Sequence, residues 1–268
     1  MNEVATLSTS AYAKYTGVQV GTKIYDSLAN AWAAAQDGDT IKVLGNITVS
    51  DAITNTKKVT LDLNGKTITG TDNATGSFAI ITNKSELTVT GNGKITLTAT
   101  NNRGWNAYSS VISNTVGGKL IVENGTIEHL GGTDMAYGID NLTNGKGTYA
   151  ETIINGGTIK STYRAIRMFL NGVEAQNILT VNGGVIEGTN KSIWVQDPSA
   201  KNNTGKITVA AGAVLNNKEK TRSRKQNERK VYFQTSHTTG SSGGVRTHYA
   251  PGCVDGRGRY PPVECDEI

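Results

Sequence analysis

One pattern recurs six times in this chain and constrains its fold more than any other feature. Two apolar residues alternate with polar ones, a glycine closes the segment, and another apolar residue follows shortly after. It appears as Val59-Thr-Leu-Asp-Leu-Asn-Gly65, Leu87-Thr-Val-Thr-Gly-Asn-Gly93, Leu120-Ile-Val-Glu-Asn-Gly125, Thr152-Ile-Ile-Asn-Gly-Gly157, Leu179-Thr-Val-Asn-Gly-Gly184 and Ile207-Thr-Val-Ala-Ala-Gly212. The anchoring glycines are 28, 32, 32, 27 and 28 residues apart. Short alternating segments read as strands, and a fixed period of this size built from strands is the signature of stacked coils.

The spacing predicts an all-β chain with three short strands per coil between about residues 40 and 215. Glycine makes up 32 of 268 residues, well above the usual ~7%, as many tight turns require. The corners before the Gly anchors call for φ > 0, which Gly and Asn tolerate best. A third strand repeats as Ile81, Ile112, Ile139, Ile166 and Ile193, with Asn83, Asn114 and Asn141 two residues after the first three. Coils stack about 4.8 Å apart, so these asparagines are expected to form a ladder of amide-to-amide hydrogen bonds. Met168 and Val195 end it. A single amphipathic helix is expected at 26–35. Asp26 or Ser27 caps it, and Leu28, Ala31, Trp32 and Ala35 form its apolar stripe.

The helix, then Asp37-Gly38-Asp39-Thr40-Ile41, then coils with Asn-Gly corners and an Asn ladder, resemble the right-handed parallel β-helix of pectate-lyase-like enzymes, phage tailspikes and bacterial surface proteins. The resemblance implies a right-handed parallel β-helix solenoid of about six coils. It also implies that helix 26–35 covers the N-terminal end, which would otherwise expose unpaired strand edges.

Three regions follow. Residues 1–23 read as a leader with a first strand, residues 24–216 as the solenoid, and residues 217–268 as a basic, Gly/Pro/Ser-rich tail without either period. Two origins for the tail stay open, a flexible extension and the product of a frame slip near residue 217. The tail holds 10 Lys/Arg against 6 Asp/Glu, which leaves the remainder of the chain 17 against 16. That balance does not suit a nucleic-acid reader, whose positive charge lies on the folded face. Both cysteines, Cys253 and Cys265, lie in the tail. No apolar run approaches the ~18 residues of a membrane span. Ala11-Tyr12-Ala13 has the small-x-small form of a signal cleavage site, and a start upstream of Met1 is one expectation.

In a solenoid, residues one period apart become neighbours, so columns carry more information than linear motifs. Thr69, Thr96, Glu128, Lys160, Glu187 and Leu215 form one outward column, whose alternating charges pair across coils. A second outward column is Thr82, Ser113, Asp140, Arg167 and Trp194. It reads either as a sugar site, with Trp194 on a ring face, or as an Asp–Arg pair beside a shielded indole. The loops leading into the third strand carry Arg103, Trp105, Asn106 and Tyr108, then Asp134, and Tyr137, Tyr163 and Arg164 at the same corner of later coils. Long loops of this kind tend to carry function.

Several motifs fail. Asn64-Gly65-Lys66-Thr67 ends like a phosphate loop, but Thr60 stands where glycine is required. His129, His237 and His248 are too scattered for a metal site, and no Ser-His-Asp set has an evident shared corner.

Three functions are expected in turn. The first is an extracellular or cell-surface module (or part of a phage virion) that binds a polysaccharide or cell-surface glycan or serves as a scaffold. Its ligand-binding residues would be Arg103, Trp105, Asn106, Tyr108, Tyr137, Tyr163 and Trp194, with no cofactor and no metal. The second, which the resemblance implies, is a polysaccharide lyase or hydrolase using Asp134, Asp140, Arg164 and Arg167, with calcium as cofactor in that case alone. The third is a purely structural spacer. The C-terminal solenoid edge offers a surface for a homo-oligomer.

Overall fold

The computed structural model describes residues 17–102, 107–132, 134–198, 202–217 and 232–236. The chain winds as a parallel β-solenoid whose strands lie in three sheets of ten, seven and six strands. Each coil contributes one strand to each sheet. The first coil is Thr40–Val43, Ile47–Val49 and Ile53–Asn55, and the sixth is Gln176–Val181, Val185–Gly188 and Lys191–Gln196. Two strands of a seventh turn follow, Thr204–Ala210 and Val214–Asn217. Tyr232–Ser236, within the expected tail, pairs in parallel with Thr204–Ala210.

Register follows the repeat. Backbone N–H groups of Thr126, Thr158, Val185 and Val214 donate to the carbonyls of Gly93, Gly125, Gly157 and Gly184 in the coil below. Those four glycines therefore stand in one file. Gly65 and Gly212 sit one residue before it, where Lys66 and Ala213 hold the equivalent place, because Thr67 pairs with Lys94 and Val214 with Val185. The same offset corrects the first outward column, since Leu215 pairs with Ile186 and Asn216 lies opposite Glu187. Of the anchoring glycines, Gly65, Gly125, Gly157 and Gly184 have left-handed φ, while in the third coil the left-handed residue is Gly91, not Gly93.

Apolar residues fill the interior in files, such as Ile68, Ile95, Ile127, Ile159 and Ile186, all fully buried. The Ile column of the third sheet starts one coil earlier than the repeat suggested, at Ile53. The Asn ladder does too. Trp32 Nε1 donates to Asn55 Oδ1 (3.2 Å), Asn55 Nδ2 to Asn83 Oδ1 (2.8 Å), Asn83 Nδ2 to Asn114 Oδ1 (2.8 Å) and Asn114 Nδ2 to Asn141 Oδ1 (3.2 Å). One continuous donor direction thus ties the end helix to four coils and satisfies the buried amides of Asn55, Asn83 and Asn114, while Asn141 Nδ2, at the end of the ladder, has no partner among the described residues.

The helix spans Leu28–Ala34, with Ser27 as its N-cap accepting from Asn30 N–H. Leu28, Ala31 and Trp32 are buried. Lys57 Nζ donates to the carbonyls of Ala33 (3.0 Å) and Ala35 (2.5 Å), where the free carbonyls and the dipole favour a cation. Val18–Val20 and Lys23–Tyr25 form an antiparallel hairpin beside Thr40–Val43. Its two strands are the first of the ten-stranded sheet, ahead of the strands that the coils contribute.

Outside, charge ladders link coils. Glu128 bonds Lys94 (3.1 Å) below and Lys160 (2.6 Å) above, and Lys58 pairs with Glu86 (3.1 Å). No helix among the described residues is long and apolar enough to cross a membrane.

Candidate functional site

The third sheet bends outward-facing residues into a cluster on coils three to six. Along its strands two consecutive residues enter the core, as with Ile80-Ile81, Val111-Ile112 and Ala165-Ile166. The inside–outside alternation therefore flips once. Without that flip Tyr137 would point inward. With it, Tyr137 and Arg164 share the outer face with Asp140, Arg167 and Trp194. Cross-strand pairing places Tyr137 beside Arg164, Asp140 beside Arg167, and Arg167 beside Trp194.

Arg167 is the centre. Its Nε and Nη2 donate to the two carboxylate oxygens of Asp140, both at 2.7 Å. Its guanidinium also lies 4.6 Å from the Tyr137 ring, 4.8 Å from Phe169 and 5.2 Å from Tyr108. Asp140 is fully buried and Arg167 is 5% exposed. Burial acts to lower the Arg167 pKa, but the Asp140 charge and hydrogen bonds outweigh it and hold the guanidinium above its ordinary value.

Arg164 occupies the next layer. Its guanidinium carbon is 3.6 Å from the Trp194 ring and 4.2 Å from Tyr163, and Nε donates to Asn190 Oδ1 at 3.2 Å. Tyr137 and Trp194 lie nearly parallel, 6.5 Å between centroids. Tyr137 donates its hydroxyl to Met135 Sδ at 2.9 Å. Burial pushes the Tyr137 hydroxyl up to about 12, so the ring stays neutral. Tyr108 is raised as well, by burial and then by Asp140.

The expected residues thus divide. Tyr108, Tyr137, Asp140, Tyr163, Arg164, Arg167 and Trp194 come together. Tyr137, Asp140, Arg164, Arg167 and Trp194 are buried, whereas Tyr108 and Tyr163 are partly exposed. Asp134 is exposed and takes no part in the contacts that hold the cluster. Arg103, Trp105 and Asn106 lie outside the described residues. Met135 and Phe169 were not singled out from the sequence. Phe169 had a signal, since it stands two residues beyond Arg167 on the same outward side.

The shared Ser-His-Asp corner that the sequence did not reveal exists, in another order. Ser109 Oγ donates to Asp72 Oδ2 (2.5 Å) and its oxygen accepts from His129 Nε2 (2.8 Å). The serine stands between the other two, whereas nucleophilic catalysis needs the histidine there. All three are at most 1% exposed. They link coils two, three and four inside the solenoid.

No protein-family model matches this chain, and neither does any curated protein or solved structure.

What the outer face can do follows from its atoms. Arg167 is committed to Asp140 and kept charged, which suits neither a proton-abstracting base nor a free carboxylate ligand for calcium. Among the described residues no group of three acidic, His or Cys side chains is placed to hold a metal ion. A shallow cleft lies elsewhere, between the end helix and the first coil, lined by Trp32, Ile53 and Lys57 among others.

Proposed function

We propose that this chain is an extracellular β-helix module, of the pectate-lyase-like kind that its coils resemble, which presents a carbohydrate-binding face on coils three to six. One observation carries the reading. The Tyr108 and Tyr163 rings remain partly exposed while the guanidinium groups beneath them are fixed, Arg167 by Asp140 and Arg164 by Asn190 and Trp194. Rigid aromatic rings with polar neighbours stack on sugar faces at little entropic cost. Tyr108 packs on the cluster of Met135, Tyr137 and Trp194, and Arg164 lies against both Tyr163 and Trp194. An adhesion role at a cell surface or on a virion fits a rigid rod with one such face.

The test is a glycan array probed with the full chain and with Tyr108→Ala and Tyr163→Ala. Binding to a subset of glycans that both substitutions abolish supports the reading. Binding that survives both removes the site.

A second reading has its own support. Tyr137, Met135 and Trp194 form a buried apolar cluster of their own, as a spacer would need to hold coils together. It predicts that Tyr163→Ala lowers stability and that no glycan binds. The lyase reading is disfavoured by the Asp140–Arg167 pair, which occupies both the base and the acid it would need.

A further inference from the structure

Arg164 carries a charge that the described protein does not balance. Its side chain is largely buried, with 9% of the residue exposed. The neighbouring carboxylate, Asp140, is bound by Arg167 through both oxygens. Glu128 is held by Lys94 and Lys160. No ion pair among the described residues includes Arg164. The stretches of the solenoid outside the described residues, 103–106, 133 and 199–201, contain no Asp or Glu. In register on the next coil stands Lys191, a second cation. A desolvated cation without a counter-ion is costly.

The geometry shows where a counter-ion would meet the group. Tyr163 and Trp194 cover the guanidinium plane, at 4.2 and 3.6 Å. Nε is taken by Asn190 Oδ1, and the Tyr137 hydroxyl also meets the group. Among the described residues no hydrogen bond donated by the terminal nitrogens is found, and 9% of the residue stays exposed, so the edge they form is left for a partner. That edge presents N–H groups in the planar fork that matches two oxygens of one oxyanion.

We propose that Arg164 anchors an oxyanion subsite and that the glycan bound by this face carries carboxylate or sulfate groups. This rests on the glycan reading above and adds its chemical class. An oxyanion in the plane of Arg164 supplies the missing counter-charge, and the Tyr163 and Trp194 rings keep the guanidinium from rotating away. Neutral glycans leave the cation uncompensated and bind more weakly.

The experiment uses the full chain, titrated by calorimetry with three oligosaccharides of similar length: sulfated, carboxylate-bearing and neutral. Arg164→Gln and Arg164→Lys are measured beside it, together with the rise in Tm that each oligosaccharide produces. The proposal expects a charged oligosaccharide to bind at least about ten-fold more tightly than the neutral one, and Arg164→Gln to remove that preference. Arg164→Lys keeps the charge but not the fork, and is expected to retain part of it. The arm that binds more tightly tells sulfate from carboxylate. If Arg164→Gln does not fold, Arg164→Lys and the ligand-dependent rise in Tm still report on the site. Equal binding of charged and neutral glycans, or a preference unchanged in the folded variants, overturns the oxyanion subsite while leaving the glycan face standing. Absence of binding to every oligosaccharide and on the array overturns both.

Discussion

Arg167 and Asp140, 27 residues apart in sequence, meet through two hydrogen bonds of 2.7 Å across adjacent coils. The pair is buried under aromatic rings, and removing one partner strands the other. Asp140→Leu is therefore expected to cost about 3–5 kcal/mol. Asp140→Leu combined with Arg167→Met removes both charges and is expected to recover most of that loss. Chemical denaturation of the three proteins checks it. A double variant no more stable than the single one would contradict the pair as the source of the loss.

Glu128 gives the stability a defined pH dependence. Burial pushes its carboxyl up, but hydrogen bonds and charge from Lys160 and Lys94 outweigh this and hold it below the ordinary 4.5. A depressed folded pKa contributes stability above the unfolded value, and that contribution fades as pH falls through the folded value. Both lysines are partly exposed, so the contribution is on the order of 1 kcal/mol. Glu128→Gln is expected to melt lower than the parent at pH 7, with the gap closing as pH drops below 4.5. A gap independent of pH contradicts the ion-pair account.

The Asn ladder predicts a cost that packing does not. Asn83→Ala leaves Asn114 Oδ1 without its donor and deprives Asn55 Nδ2 of one acceptor. Each buried orphan costs roughly 1–3 kcal/mol. Urea unfolding reads the sum, and a loss no greater than that of an exposed Asn→Ala, such as Asn101→Ala, speaks against the ladder.

Gly157 tests the corner geometry. Its φ is +80, and an added Cβ would run into the Gly125 carbonyl oxygen and lie 2.9 Å from the Asn124 carbonyl carbon. Gly157→Val is expected to cost about 2 kcal/mol or more from strain. Gly212 has nothing within 4 Å and no left-handed φ, so Gly212→Ala is expected to be close to neutral. Equal melting shifts in the two variants run against this assignment.

Whatever recurs once per coil was legible in the sequence. The glycine file, the Ile column and the Asn ladder repeat at nearly constant spacing, and each appears in the structure. Legibility failed where turn length varies by one residue, as at Gly65 and Leu215, because a one-residue slip exchanges inside for outside. It failed again at the bend of the third sheet. Two consecutive inward residues there carry Tyr137 to the outer face, where it and Trp194 become buried by neighbours from other coils. The Asp72–Ser109–His129 chain lay beyond reach because its members belong to different columns and occur once. Arg164 could be placed at its corner by spacing, but the missing counter-charge emerged only when the partners of Asp140 and Glu128 were known.

All of these neighbour relations depend on residues of successive coils standing side by side. Thr60 and Thr88 face outward on adjacent strands of the first sheet and are cross-strand partners. Their expected separation of about 4.8 Å lies within the Cα range of ~4.4–6.8 Å that a disulfide spans. With Cys253 and Cys265 replaced by serine, Thr60→Cys/Thr88→Cys is predicted to cross-link rapidly under mild oxidation, with both thiols consumed. Thr60→Cys/Thr180→Cys, four coils apart, is predicted to keep both thiols free. Failure of the first pair to close, or equal closure of the second, would contradict the coil stack.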